Sequence, residues 1–193
     1  MSRSFALLIA VPALLMSCAP ATQISAQPQP TPAQACGLQA ASIEVNPAVN
    51  QTDRCFAQQA AMSDMFEIQS SKLALQRSTN ADVKAFADQI IKDHTDASNK
   101  LKDRAGKLNI ALPTTLDAAK LADLQALQVK QGAAFDRVYV AAQINAHNDA
   151  IELFKGYLGQ TGTNGTLRTH ADETLPYLTH HLEMARGLSA KVQ

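Results

Sequence analysis

An all-α fold, an antiparallel bundle of four long helices with a short extra connector helix, follows from three features of the 193-residue chain. Apolar residues recur at alternating steps of three and four over long stretches, which lines one face of a helix. No run alternates with the period of two that a strand needs. The composition is rich in alanine, leucine and glutamine, all good helix formers, and 46% of residues are hydrophobic, enough for a real core.

The clearest element runs from about Asn80 to Asn109, with Val83, Phe86/Ala87, Ile90, Ala97, Leu101, Ala105 and Leu108 on one face. His94, beside Asp93, interrupts that stripe. Before it, a helix is expected from Thr52 or Asp53, both good N-caps, to about Arg77. Met62, Phe66, Gln69 and Leu73, flanked by Met65 and Ile68, form its expected buried face. Ser78-Thr79-Asn80 breaks this helix and caps the next, with Asp82 near the positive end of the dipole. Pro113 forbids simple continuation beyond Asn109. Thr114 to Asp117 has the form of a capping box and opens a shorter helix to about Val129, carrying Leu121, Leu124 and Leu127.

Gly132 marks a joint, and the next helix is expected from Ala133 to Leu158, with Val140, Ile144, His147, Ile151, Phe154 and Leu158 in its stripe. The segment GQTGTNG, 159–165, is a loop. The last helix, Thr166 to Ala190, buries Leu167, Ala171, Thr174, Leu178, His181, Ala185 and Leu188, with Pro176 inside it to kink it. Each long helix would span roughly 36–44 Å.

The start of the chain carries an address. Arg3 and the short apolar run FALLIAVPALLM read as a secretion signal over residues 1–17, too short to span a bilayer comfortably. Leu15-Met16-Ser17-Cys18 resembles the lipobox of bacterial lipoproteins, in which the cysteine is lipidated and becomes the mature N-terminus. Cleavage after Ala21 or Ala26 is the alternative; the place of Cys18 at the end of the apolar core favours the lipoprotein. Several acyl chains would then anchor the chain to a membrane. Ala19, not an acidic residue, follows Cys18, so the expected location is the outer membrane, facing the periplasm. Residues 18–51, rich in Pro, Gln, Ala and Ser, form a tether, leaving 52–193 for the bundle. Cys36 and Cys55 would pair as a disulfide in an oxidising envelope, or remain two thiols; neither has the spacing of a redox or metal motif.

Lys+Arg and Asp+Glu both number 17, so nothing marks a nucleic-acid surface, and no basic run addresses an anionic membrane. DMFEIQSSKLAL, VKAFADQIIKDHT, GAAFDRVYVAAQINAH and TLPYLTHHLEMA, in that order, resemble the bacterial domain-of-unknown-function 4142 family over about Cys55 to Leu188. The resemblance implies an envelope protein with a ferritin-like four-helix architecture and brings no established activity.

His94, His147 and His181 each interrupt an apolar stripe close to mid-height on a different long helix, so the three rings can meet inside a bundle. Glu67 is near the middle of the first helix, beside its expected buried face; Asp93, Asp136 and Asp149 are candidates to orient the histidines. Such a set suits zinc or copper. The preferred reading is nonetheless ordinary: each histidine is a satisfied core residue, the imidazole nitrogens too far apart or turned so that no common ion fits, and no cofactor is expected. His170 and His180 are expected to meet only solvent. A di-iron site needs E-x-x-H pairs, and the residues three before the trio are Ile91, Ile144 and Leu178. There is no nucleophile elbow, P-loop or dinucleotide fingerprint. Met62 and Met65 are core fillers before they are copper ligands. The expectation is therefore a non-enzymatic envelope lipoprotein whose surface docks a protein partner or a second copy, a binding or stress-related module as the family resemblance implies. A metal-binding bundle is the alternative.

Overall fold

The computed structural model describes residues 46–192. Five helices follow in order: α1 Gln51–Arg77, α2 Ala81–Lys107, α3 Ala118–Gln128, α4 Gly132–Leu158 and α5 Gly165–Ser189. The signal, the lipobox with Cys18, and Cys36 lie outside the described residues. Cys55 is buried on α1, with the Gln51 amide 3.4 Å from its Sγ.

Short polar side chains cap α1, α2, α3 and α5, whereas α4 starts at Gln131 without a side-chain cap. The Asn50 side chain accepts from the Asp53 amide, and the Asp53 carboxylate accepts from the Asn50 amide, a reciprocal box that sets α1 going. The cap is therefore Asn50, not Thr52 or Asp53, and Val49 is already in the core, so the bundle begins earlier than residue 52. Asp53 is fully buried and also accepts from the Tyr157 hydroxyl at 2.6 Å and the Asn164 amide at 2.8 Å, which staples the start of α1 to the α4–α5 turn. Asn80 caps α2 and Asn164 caps α5. Asp117 itself caps α3, so the expected box beginning at Thr114 does not form. Asn109, with φ at 55°, turns the chain out of α2 in the left-handed conformation that asparagine tolerates.

The four long helices close a ring in the order α1, α2, α5, α4, each packed on two neighbours. Cross-links fix the directions. Ser71 meets Tyr139 and Asp53 meets Tyr157, so α1 and α4 are antiparallel. Asp82 meets Lys191 and Arg104 meets Glu173, so α2 and α5 are antiparallel too. Hence α2 and α4 run the same way on opposite corners, and the connection 108–131 must climb the full height of the bundle, about 40 Å. It does so with α3, which leans on α1 and α4. One long crossover is the ferritin-like arrangement of a four-helix bundle.

The core falls into two apolar blocks. One gathers Phe56, Leu101, Phe154, Tyr157, Leu167 and Leu178 at the end where α1 begins. The other gathers Val83, Phe86, Ile90, Phe135, Tyr139 and Leu188 at the opposite end. The stripes expected on α2, α4 and α5 face the core, with Ala97, Ile144 and Leu158 only half-buried, and α4 also buries Phe135, Tyr139, Gln143 and Tyr157 outside its expected stripe. The stripe expected on α1 does not face it. Its inner face is Ala57, Ala60, Ser63, Asp64, Glu67, Ser70, Ser71 and Ala74, while Gln69 is exposed and Met62, Met65, Ile68 and Leu73 are half-buried on the flanks. Phe66 turns away from the ring to Leu124 of α3, and Leu121 is mostly outside. Small residues let the other three helices bring large side chains close; hydropathy alone reads that face as outward. Among the described residues no helix is long and apolar enough to cross a membrane.

Candidate metal centre

Between the two apolar blocks lies a polar layer to which every long helix contributes: Glu67 from α1, His94 from α2, His147 from α4 and His181 from α5, all buried. The three rings form a nearly equilateral triangle, with centroid separations of 5.5 Å (His94–His147), 5.4 Å (His94–His181) and 5.4 Å (His147–His181). One nitrogen from each lies within 4.8 Å of the others. The expectation that the nitrogens would not converge is overturned.

What turns the rings inward is a set of acceptors around them. His94 Nδ1 donates to Asp64 Oδ1 at 2.9 Å, and the other Asp64 oxygen is held by Ser98 at 3.0 Å. His147 Nδ1 donates to the Gln143 carbonyl one turn earlier on its own helix, at 2.8 Å. His181 Nε2 donates to Asp93 Oδ2 at 3.0 Å, and Asp93 is steadied by the Gln89 amide at 2.6 Å. Each acceptor takes the N–H of its ring, so in the neutral form the lone pair sits on the other nitrogen. Those nitrogens, His94 Nε2, His147 Nε2 and His181 Nδ1, are buried without a hydrogen-bond partner. Three buried orphans of one kind at one level need an explanation. A carboxylate or carbonyl behind each imidazole is how metal-binding histidines are oriented.

An ion about 2.0–2.1 Å from each nitrogen would hold them about 3.3 Å apart, so the rings need to close by about 1.5 Å at most, within reach of small side-chain rotations. The donor set fits zinc or copper.

Glu67 is fully buried and belongs to the inner face of α1, not beside it. Its Oε1 lies 3.5 Å from His147 Nδ1, the N–H edge of that ring, and neither of its oxygens has a hydrogen-bond partner. Burial raises its pKa to about 7 despite the opposing pull of the nearby His94. Of the four sequence candidates, the structure thus gathers three into one candidate ligand set and leaves Glu67 as a neighbouring carboxyl group. Burial pulls His94 down, but its bond to Asp64 and the charges of Glu67, Asp64 and Asp93 outweigh that and leave it raised. Burial, then the charge of His94, lowers His147 to about 3 and His181 to about 4. The metal-free trio therefore accepts a single proton readily, on His94.

Asp93 plays its expected supporting part. Asp136 is buried about three turns before His147, and Asp149 is exposed; neither bonds to the trio. Asp64 was missed, although the spacing Asp64-x-x-Glu67 puts both carboxylates on one helix face. His180 is exposed as expected. His170 is not: it is buried against Phe56 and Phe154, with ring centroids 6.5 and 6.1 Å away. Asp64→Asn, which keeps the shape but removes the charge behind His94, should weaken zinc binding by about 10–100-fold in a competition titration.

The chain belongs to the family described as "Domain of unknown function (DUF4142)", whose model matches residues 38–188. Among solved structures the fold is similar to a crystal structure of a DUF305 fragment from Deinococcus radiodurans, at TM-score 0.67 and 12% identity over 75% of this chain and 99% of that one. No curated protein matches the sequence.

Proposed function

We propose that the protein is a metal-binding bundle that holds one divalent transition-metal ion, zinc or copper, through His94, His147 and His181. The observation that carries this is the convergence of three buried, unpartnered imidazole nitrogens from three helices, each ring backed by its own acceptor. Three neutral imidazoles suit both ions, and copper binds the more tightly of the two at a given nitrogen site. Asp64, behind His94, offsets part of the charge of the ion, and Glu67, its pKa raised to about 7, adds to this where it is ionised. The E-x-x-H pairs of di-iron oxidases are absent from the trio, so the role proposed is binding, not oxidation of iron.

Dialysis of the metal-free protein against zinc(II) or copper(II), followed by elemental analysis, tests this. One ion per chain is expected, with near-complete loss in His94→Ala, His147→Ala and His181→Ala. Equal metal content in wild type and all three variants would contradict it.

The address at the start of the chain places this module, on our reading, in the cell envelope, anchored to the outer membrane by lipid on Cys18 and held off the surface by the Pro/Gln-rich segment. Cys18→Ser should move the protein from the membrane to the soluble periplasmic fraction on cell fractionation. A membrane-bound Cys18→Ser protein would remove the anchor.

A further inference from the structure

Two of the three imidazoles, His94 and His181, also line a crevice of about 130 Å³ between α2 and α5. His147 does not line it; it stands across the trio on α4. The inner walls of the crevice include Ala97, Thr174 and Leu178, and its mouth carries the exposed Tyr177 together with two cations, Lys92 and Lys100, and two carboxylates, Asp96 and Glu173. Between α1 and α4 the layer is closed by Glu67, Gln143 and Ser70, all fully buried, and the apolar blocks pack above and below it. The crevice is thus a route towards the trio from between α2 and α5. A space of this size takes several waters or a small anion, since one water needs only about 10–15 Å³.

Glu67 is poorly placed to close the ligand set. Its oxygen approaches His147 at Nδ1, the nitrogen already donating to Gln143, whereas the unpartnered nitrogen of that ring is Nε2, on the opposite edge. Three nitrogens without a fourth protein donor leave zinc-type ions a position for an outside ligand. With all three imidazoles neutral, the ion keeps its own positive charge and attracts anions.

We propose that a metal ion held by His94, His147 and His181 keeps an exchangeable coordination position facing the α2/α5 crevice, occupied by water or by a small anion that enters between Ala97 and Thr174. This rests on the metal-binding reading above. It makes the centre one at which ligands exchange, not a closed structural clip.

Cobalt(II) in place of the native ion gives a visible spectrum that reports its ligands, and azide is a suitable anionic probe. The cobalt-loaded protein should show a saturable change in that spectrum on azide addition. Ala97→Phe, which plugs a half-buried position in the crevice wall, should keep the cobalt spectrum and weaken azide binding at least tenfold. Should the phenylalanine variant not fold, Ala97→Leu should act in the same direction to a smaller extent. Cobalt bound one to one but indifferent to azide would overturn the open position alone. Azide bound equally well by wild type and a folded, plugged variant would overturn the crevice as its route. Failure to bind cobalt at all would overturn the metal reading and this one with it.

Discussion

Excess zinc(II) should raise the melting temperature of the metal-free protein by about 5–10 °C at neutral pH, and His147→Ala should abolish the rise. A ligand that binds only the folded chain stabilises it by about 2.7 kcal/mol when its free concentration is about 100 times Kd, and each kcal/mol shifts the midpoint of a domain of this size by about 2–4 °C. The trio exists only when α2, α4 and α5 are packed, so metal binding there would be coupled to folding. His147 is the sharpest probe, because it is fully buried and its lowered pKa keeps it neutral, ready to bind. Proton competition falls instead on His94: its raised pKa means that zinc must displace a proton there as the pH approaches and passes below that value. Scanning calorimetry of the wild type and His147→Ala, with and without zinc, checks this. An equal rise in His147→Ala would place the ion elsewhere.

Without metal, the protein should lose about 3–5 kcal/mol of stability between pH 6.5 and 4.5, one pKa unit per group being worth about 1.4 kcal/mol. The sign comes from burial. His147 at about 3, and His181 and His170 at about 4, lie below the unfolded value of 6.5. In that window the unfolded chain binds more protons than the folded one, so acid favours unfolding. Glu67 acts the other way: raised from 4.5 to about 7, it is protonated in the fold and not in the unfolded chain, which offsets about one histidine. His94, being raised, costs stability only above pH 6.5. The metal-free protein should therefore be most stable near pH 6.5. Urea unfolding after chelation, at pH 6.5 and 4.5, measures the difference. His170→Leu, remote from the trio, should flatten the dependence by about one group's worth; an unchanged slope would mean that His170 is not held neutral by its surroundings.

How much of this could be read beforehand depends on which helix is considered. The inner faces of α2, α4 and α5 announce themselves, because Val83, Ile90 and Leu101, or Val140, Ile151 and Phe154, are large apolar groups at helical spacing. The inner face of α1 hides, because it is built of alanine, serine and two acids, and what packs against it is bulk from its neighbours. That concealment also hid Asp64. The common level of the three histidines was legible from their places along helices of nearly equal length. Their convergence was not. It depends on Asp64, the Gln143 carbonyl and Asp93 drawing the N–H edges outward, which is a matter of side-chain torsions. His170 lies three residues after Leu167 and four before Thr174, so the stripe of α5 is wider than the single line through Ala171 suggested.

The most direct test is X-ray absorption at the metal edge of the zinc-loaded or copper-loaded protein. Three histidine nitrogens at about 2.0–2.1 Å, with the outer-ring scattering of imidazole, are what the buried triangle requires. In His181→Ala one of those nitrogens should be gone. A first shell of oxygens alone, or one unaltered by any substitution in the trio, would show that the ion sits at the surface and that the three histidines meet for some other reason.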